Sequence, residues 1–360
     1  MNRKKLLSAI CTVLILCLLL CACERPPADV GTLDFEGMEL MEYEEANLGL
    51  QVQYLRVDTL ERLASSSLQA PRVIPYEAVW CRDKIYFLGK TGEHQGLYSL
   101  TLTEDRGALQ EENLQFAEAV QLAPEGVQWS ELQCAGDMLI WEQETESLPQ
   151  ERLALDLEEG MVRPPFQEGR VMYWNGSYYK FGGVYVGATL ERMTSDGKYD
   201  TVDEDICWPH DESWIDAGLL AYRAGYESRI MRLDLETETY RDALVIKGDY
   251  PEGVQCNETW LTGVLEAGEV FVYSYDTDEG HFVTRIETDG QGISHSKAKV
   301  WLRGSRLWIL EEYQLSVYDL EQQAVQHLTI PGSKYSEWDL AGDGRMVGCD
   351  LLKGLLITIM

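Results

Sequence analysis

The chain has 360 residues, 45% apolar and 10% aromatic, which is enough for a sizeable core and incompatible with general disorder. Its 61 acidic and 30 basic side chains give a formal charge of −31, a field that repels phosphate backbones and anionic headgroups, so no nucleic-acid partner is expected. Such an excess of carboxylates favours solubility, and it also attracts cations or basic segments.

At the N-terminus, Asn2-Arg3-Lys4-Lys5 precede an apolar run from Leu6 to Leu20, then Leu20-Cys21-Ala22-Cys23 and Pro26-Pro27. A basic start, a short apolar segment and a small residue before a cut mark an export signal. The run of about fifteen residues falls short of the roughly 20 that cross a bilayer as a helix. The stretch resembles a bacterial lipoprotein signal peptide. That resemblance implies that residues 1–22 are removed and that Cys23 carries diacylglycerol and becomes the new N-terminus. It also implies residence at the extracytoplasmic face of a bacterial cell membrane, held there by the lipid. Cys21 follows bulky Leu20 whereas Cys23 follows small Ala22, which makes Cys23 the expected lipidation site. Without residues 1–22 the chain keeps 27 basic and 61 acidic groups, a charge of −34.

Residues 23–47 hold the modified cysteine and an acidic, proline-led stretch that reads as a tether. Next, Leu48, Leu50, Val52 and Tyr54 alternate with polar residues, predicting a strand over 48–57 with no hairpin of its own. A strand, tight turn and second apolar strand then recur. The copies are VWCRDKIYFLG from Val79, LQCAGDMLIWE from Leu132, VMYWNGSYYKFGG from Val171, SWIDAGLLAYRAG from Ser213, TWLTGVLEAGEVFVYSY from Thr259, VWLRGSRLWILEE from Val300 and EWDLAGDGRMVGCD from Glu337. Their turns, at Asp83, Gly136, Gly176, Gly218, Gly268, Gly304 and Gly344, recur about every 43 residues, the length of a propeller blade. A second pattern supplies outer strands, as in GLYSLTL from Gly96, RLALDLEEG from Arg152, RIMRLDLETETY from Arg229 and LSVYDLEQQAV from Leu315. After the seventh hairpin only LKGLLITIM from Leu352 remains, so that blade lacks a strand which 48–57 can supply. The expected fold is all-β: a seven-bladed β-propeller over residues 48–360, with six or eight blades as alternative counts, closed by pairing of its N- and C-terminal strands.

These repeats resemble those of TolB-like and PQQ-type propellers, in which an aromatic-rich inner hairpin precedes an outer hairpin of L-Y-x-L-D-L-x-T type. The resemblance spans about residues 48–360 and implies architecture. Trp80, Trp214, Trp260, Trp301 and Trp338 recur near the hairpin starts, but the second and third copies depart from the PQQ-type tryptophan pattern. The five are read as packing between blades, and no quinone or other cofactor is expected.

Five cysteines follow Cys23: Cys81, Cys134, Cys207, Cys256 and Cys349. Their odd number and wide spacing point to buried free thiols. No G-x-S-x-G elbow, H-E-x-x-H helix or phosphate loop is present. The string Asp276-Thr277-Asp278-Glu279-Gly280 places oxygens at alternate positions, yet its glycine comes one residue early for a calcium loop, so it reads as a hairpin turn.

In the propellers this chain resembles, ligands meet the loops joining second to third strands and the loops between blades. Mapped onto this sequence, that face comprises His94, Glu142, Tyr226, Asp276, His281 and Glu311, with Trp129, His210, Asp211, Tyr250, His295 and Tyr335. The expected function is a lipid-anchored binding or scaffold protein for an extracytoplasmic protein or glycan. The alternative is a surface glycan or peptide hydrolase or lyase, which needs two carboxylates, or a histidine and a carboxylate, to converge.

Overall fold

The computed structural model describes residues 30–59, 72–92, 94–102, 113–145, 148–182, 186–194, 196–207, 214–224, 229–288, 298–331 and 338–360. Alternating apolar residues between Gly, Asn and Asp turns make antiparallel strands through nearly all of them. The N-terminal part gives β1 (Val30–Asp34), β2 (Glu44–Glu45) and β3 (Val52–Thr59). A first run holds β4 (Arg72–Cys81), β5 (Lys84–Thr91), β6 (His94–Leu100) and β7 (Asn113–Leu122). The second holds β8 (Val127–Ala135), β9 (Met138–Thr145), β10 (Leu148–Asp156) and β11 (Gly160–Val162). The third is β12 (Met172–Trp174), β13 (Ser177–Gly182), β14 (Val186–Met193) and β15 (Tyr199–Cys207). The fourth is β16 (Leu219–Ala224), β17 (Arg229–Asp234) and β18 (Thr239–Lys247), entered through a bridge between Asp216 and Leu219. The fifth is β19 (Glu252–Cys256), β20 (Trp260–Val264), β21 (Glu269–Ser274) and β22 (Glu279–Arg285). The sixth is β23 (Lys299–Arg303), β24 (Arg306–Glu311), β25 (Gln314–Asp319) and β26 (Ala324–Thr329). The seventh is β27 (Trp338–Leu340), β28 (Met346–Asp350) and β29 (Leu355–Ile359).

The strands form five sheets arranged as in a β-propeller, and no helix occurs among the described residues. Two sheets are the second and fifth runs alone, and a third is the sixth run with β2 added. One eight-stranded sheet joins the third and fourth runs through β15 and β16, with β1 at its edge. The other joins β27–β29, β3 and β4–β7. In it β3 pairs antiparallel with β29, Leu55 opposite Leu356 and Val52 opposite Ile359.

The core lies between runs and not within them. Trp129, Leu139 and Trp141 of the second run pack with Val79, Tyr86 and Leu88 of the first, and Ala135, Met138 and Ile140 with Phe166 and Val171 ahead of the third. Further clusters join third to fourth, fourth to fifth, fifth to sixth and sixth to seventh runs. The remaining one unites Val347, Cys349 and Leu356 of the last run with Trp80, Ile85 and Phe87 of the first. Close approach at these junctions dictates small residues: a Cβ on Gly218, which has φ 83°, would lie 2.9 Å from the Trp174 ring.

Three expectations need correction. The acidic stretch read as a tether is, from Val30 to Glu45, part of the sheets. β1 pairs parallel with β18, Leu40 bridges to Phe282 on β22, and β2 pairs parallel with β26. Leu33 and Phe35 are buried there, so apolar contacts hold a segment whose charges face solvent. The fifth hairpin is displaced by one strand. Its first turn is Asn257–Thr259, where the Asn257 side chain accepts hydrogen bonds from the Thr259 and Trp260 amides, and Gly268 belongs to the next turn. Finally, Cys81 and Cys134 are joined in a disulfide, Cα atoms 5.8 Å apart, because β4 and β8 pack side by side. Cys256 and Cys349 are buried and take no part in this disulfide, in line with the buried cysteines expected.

A crosslink of 53 residues' separation restricts the unfolded chain strongly. Reduction, or replacement of both cysteines by alanine, is expected to lower unfolding free energy by about 2–4 kcal/mol in urea melts. An unchanged midpoint would show that the bond is absent or without consequence.

Candidate functional site

The expected binding face separates into residues that are available and residues that the fold already uses. His94 opens β6 immediately after the turn from β5 and is exposed. Asp276 is exposed in the tight turn between β21 and β22, where Asp278 takes a left-handed φ of 58° and receives the Tyr273 hydroxyl. Tyr250, in the link from β18 to β19, is half exposed, and the Arg223 guanidinium lies 5.0 Å from its ring centroid.

Trp129 is not on a loop. Its ring is buried 5.4 Å from Trp141, its amide donates to Gln95 Oε1 at 2.9 Å, and its carbonyl accepts the Tyr76 hydroxyl at 3.0 Å. Glu142 is likewise buried, accepting from the Gln150 amide, with Arg152 Nη2 at 3.7 Å. Burial lowers the Arg152 pKa and the Glu142 charge opposes that shift, so the two form a structural pair inside the second run. Glu311 accepts the Glu287 amide at 3.4 Å and is raised in pKa by burial, tying the exit of β22 to the end of β24. His281 lies inside β22, its Nε2 2.8 Å from the Tyr43 hydroxyl. Cys23, His210, Asp211, Tyr226, His295 and Tyr335 lie outside the described residues.

The pattern that sequence reasoning missed is at the middle of the arrangement, where strands distant in the chain meet. Trp214, just ahead of β16, lies under the Arg303 guanidinium at 4.1 Å and against Gly342, between β27 and β28. Asp216 beside it is raised in pKa by burial, offset by the Arg303 charge and a hydrogen bond from the Gly304 backbone. Arg345 covers Trp80 at 4.2 Å and donates to the Arg82 carbonyl at 2.7 Å. Asp339 on β27 accepts the Trp80 amide at 3.1 Å and faces Arg170 Nη2 at 3.8 Å. Arginine over tryptophan suits a partly desolvated axis, since the guanidinium stacks as well as bonds. Two of the repeated tryptophans thus anchor cations, while Trp301 and Trp338 are buried between the sixth and seventh runs. Arg303, at the end of the Trp301 strand, and Arg345, in the turn after the Trp338 strand, carried this signal.

No family model matches the chain, and no curated protein matches it. Among solved structures it is similar to a chain of the structure described as "Crystal Structure of Mitotic Checkpoint Complex", at 11% identity and TM-score 0.47, covering 82% of this chain and 93% of that one. It is also similar to one described as "Structure of the Neurospora crassa Pan2 WD40 domain", at 11% identity and TM-score 0.46, covering 89% and 97%.

His281 offers a pH test of the N-terminal segment. Burial lowers its pKa below the usual 6.5, so between the folded value and about 6.5 the unfolded chain binds the extra proton. Stability from the Tyr43–His281 contact is therefore full above about pH 6.5 and declines as pH falls through that window. Hydrogen exchange at the Met41 and Phe282 amides, which bond to Phe282 and Glu39 carbonyls, should accelerate on acidification beyond the intrinsic rate. His281→Gln, which accepts without titrating, should flatten that response, and an undiminished response in this variant would refute it.

Proposed function

We propose that this chain is a lipid-anchored, extracytoplasmic binding scaffold built on a seven-bladed β-propeller. Seven apolar clusters, each shared by consecutive runs and one by the last and first, support the blade count. The antiparallel register of β3 on β29 supports closure of the ring by an N-terminal strand. For the anchor, the support is the lipoprotein-like run ending at Cys23, together with a disulfide of the kind that persists in oxidising compartments. Six residues separate Cys23 from Val30, spanning at most about 25 Å when extended. The lipid would hold the outer edge of the fourth blade near the bilayer.

The observation that carries the binding reading is the contrast between the middle and the loop face. Arg303, Arg345 and Asp339 are engaged within the ring, whereas Tyr250 and Asp276 stand exposed between strands and His94 stands exposed at the start of β6. Exposed tyrosine backed by a cation, with carboxylates around it, suits a glycan face or a basic protein segment. The alternative hydrolase or lyase needs convergent acid and base groups. Among the described candidates, Glu142, His281 and Glu311 are turned to internal partners instead.

Two measurements test this. Cys23→Ser should abolish incorporation of a fatty-acid label and release the protein from membranes; retained label would refute the anchor. Thermal shift with cell-wall sugars and basic peptides should give stabilisation that grows with the logarithm of ligand concentration and is reduced by Tyr250→Ala. Turnover of such a compound would replace the scaffold reading with the enzymatic one.

A further inference from the structure

On the side of the turns that join first to second strands, side chains of five runs meet in a closed circuit around the ring axis. Successive strands of a run alternate in direction, so this side lies opposite His94 and the Tyr250 link. Tyr173 of the third run lies flat on the Gly136 turn of the second, where a Cβ would come within 2.8 Å of its ring. Its neighbour Trp174 rests in the same way on Gly218 of the fourth run. Trp214 of the fourth run departs from this pattern, because its ring reaches Gly342 of the seventh run and so crosses the axis. From there Arg345 donates to Asp343 at 2.7 Å and to the Arg82 carbonyl at 2.7 Å. Arg82 closes the circuit by pairing with Asp137, next to Gly136, and with Glu158 at 3.1 Å.

The circuit faces solvent. Tyr173 is 38% exposed, and the Arg82, Asp137 and Asp343 side chains are 43%, 50% and 55% exposed. The Tyr173 ring is held in place before any ligand arrives, since glycine backs it and its hydroxyl accepts the Gly176 amide at 3.2 Å. The charges beside it are already matched. A cationic ligand has to compete with Arg82 for Asp137 and Glu158, and an anionic one has to compete with those carboxylates for Arg82. Uncharged hydroxyls, which both donate and accept, bond to the outer edges of such pairs without separating them. A pyranose ring offers these hydroxyls around its rim and a flat face of C–H groups that stacks on an aromatic ring. With Trp214 laid across the axis, the middle of this side is a floor, which suits an extended chain lying over it.

We propose that this turn face binds a neutral glycan, a chain of uncharged pyranose rings, with one ring stacked on Tyr173 and its hydroxyls bonded to the Arg82–Asp137 and Arg345–Asp343 pairs. The site is separate from Tyr250 and depends neither on the anchor nor on the binding face proposed there.

The test uses the full chain in detergent, with cellohexaose and chitohexaose as probes and hexalysine and hexagalacturonate as charged comparisons. Saturable binding of at least one neutral probe is expected, unaltered from low to high salt, with slowed hydrogen exchange at the Gly136, Asp137 and Gly176 amides. Tyr173→Ala should weaken it by about tenfold or more at an unchanged melting temperature, while Tyr250→Ala leaves it unaltered. If Tyr173→Ala lowers the melting temperature, Asp343→Ala, an exposed change, should weaken binding by about threefold. Absence of binding by both neutral probes, or equal binding by the Tyr173 and Asp343 variants, overturns the proposal. Loss on Tyr250→Ala in place of Tyr173→Ala overturns it and leaves the other face as the glycan site. Salt-sensitive binding of hexalysine or hexagalacturonate alone, lost on Tyr173→Ala, overturns it in favour of a charged ligand.

Discussion

Among the described residues, no run of strands has a core of its own. A single twisted sheet of three or four short strands presents apolar side chains on both faces, and it becomes stable only when each face meets a neighbour. The clusters show that arrangement directly: Leu139 and Trp141 of one sheet face Val79 and Leu88 of the sheet before it, while Ile140 and Met138 on the opposite face meet Phe166 and Val171. Such sharing leaves no place to end. The last run needs the first, and Val347, Cys349 and Leu356 meet Trp80 and Phe87 for that reason.

This dependence explains why polar groups fill the middle. Inner strands that converge bring backbone and charges into a confined space, and each must find a partner there. Arg303 and Arg345 stack on Trp214 and Trp80, and Asp339 takes up the Trp80 amide. The rim presents the opposite problem, since outer strands expose unpaired edges. Between Val30 and Thr59 the chain lies along four outer positions in turn, so the same segment leads from the proposed anchor and shields the sheets.

Much of the architecture was legible because hairpins announce themselves twice, by alternation and by turn residues. Asn175-Gly176 and Ala217-Gly218 take the left-handed φ values that such turns require. The strand expected over 48–57 is present as Val52–Thr59. The N-terminal pairing was hidden because parallel edge strands such as Glu44–Glu45 need no apolar period, and the carboxylates around Leu33 and Phe35 resemble a solvated tether. The disulfide did leave a trace: Cys81 and Cys134 both lie within two residues of the hairpin turn in the first two copies. Within the candidate face, strands ran longer than their patterns suggested. Trp129 and Glu142 therefore fell inside β8 and β9, while His94 opens β6 and Asp276 kept its turn position.

The most direct test of this account is the register of β3 on β29. Gln53 and Thr358 stand opposite each other, so Gln53→Cys with Thr358→Cys, in a chain otherwise lacking Cys81 and Cys134, should oxidise to an intramolecular crosslink seen as a mobility shift. The crosslink should also raise the melting temperature. Failure of this pair to join, with efficient crosslinking of a pair shifted by two residues or none at all, would contradict closure through β3 and the seven-bladed ring built on it.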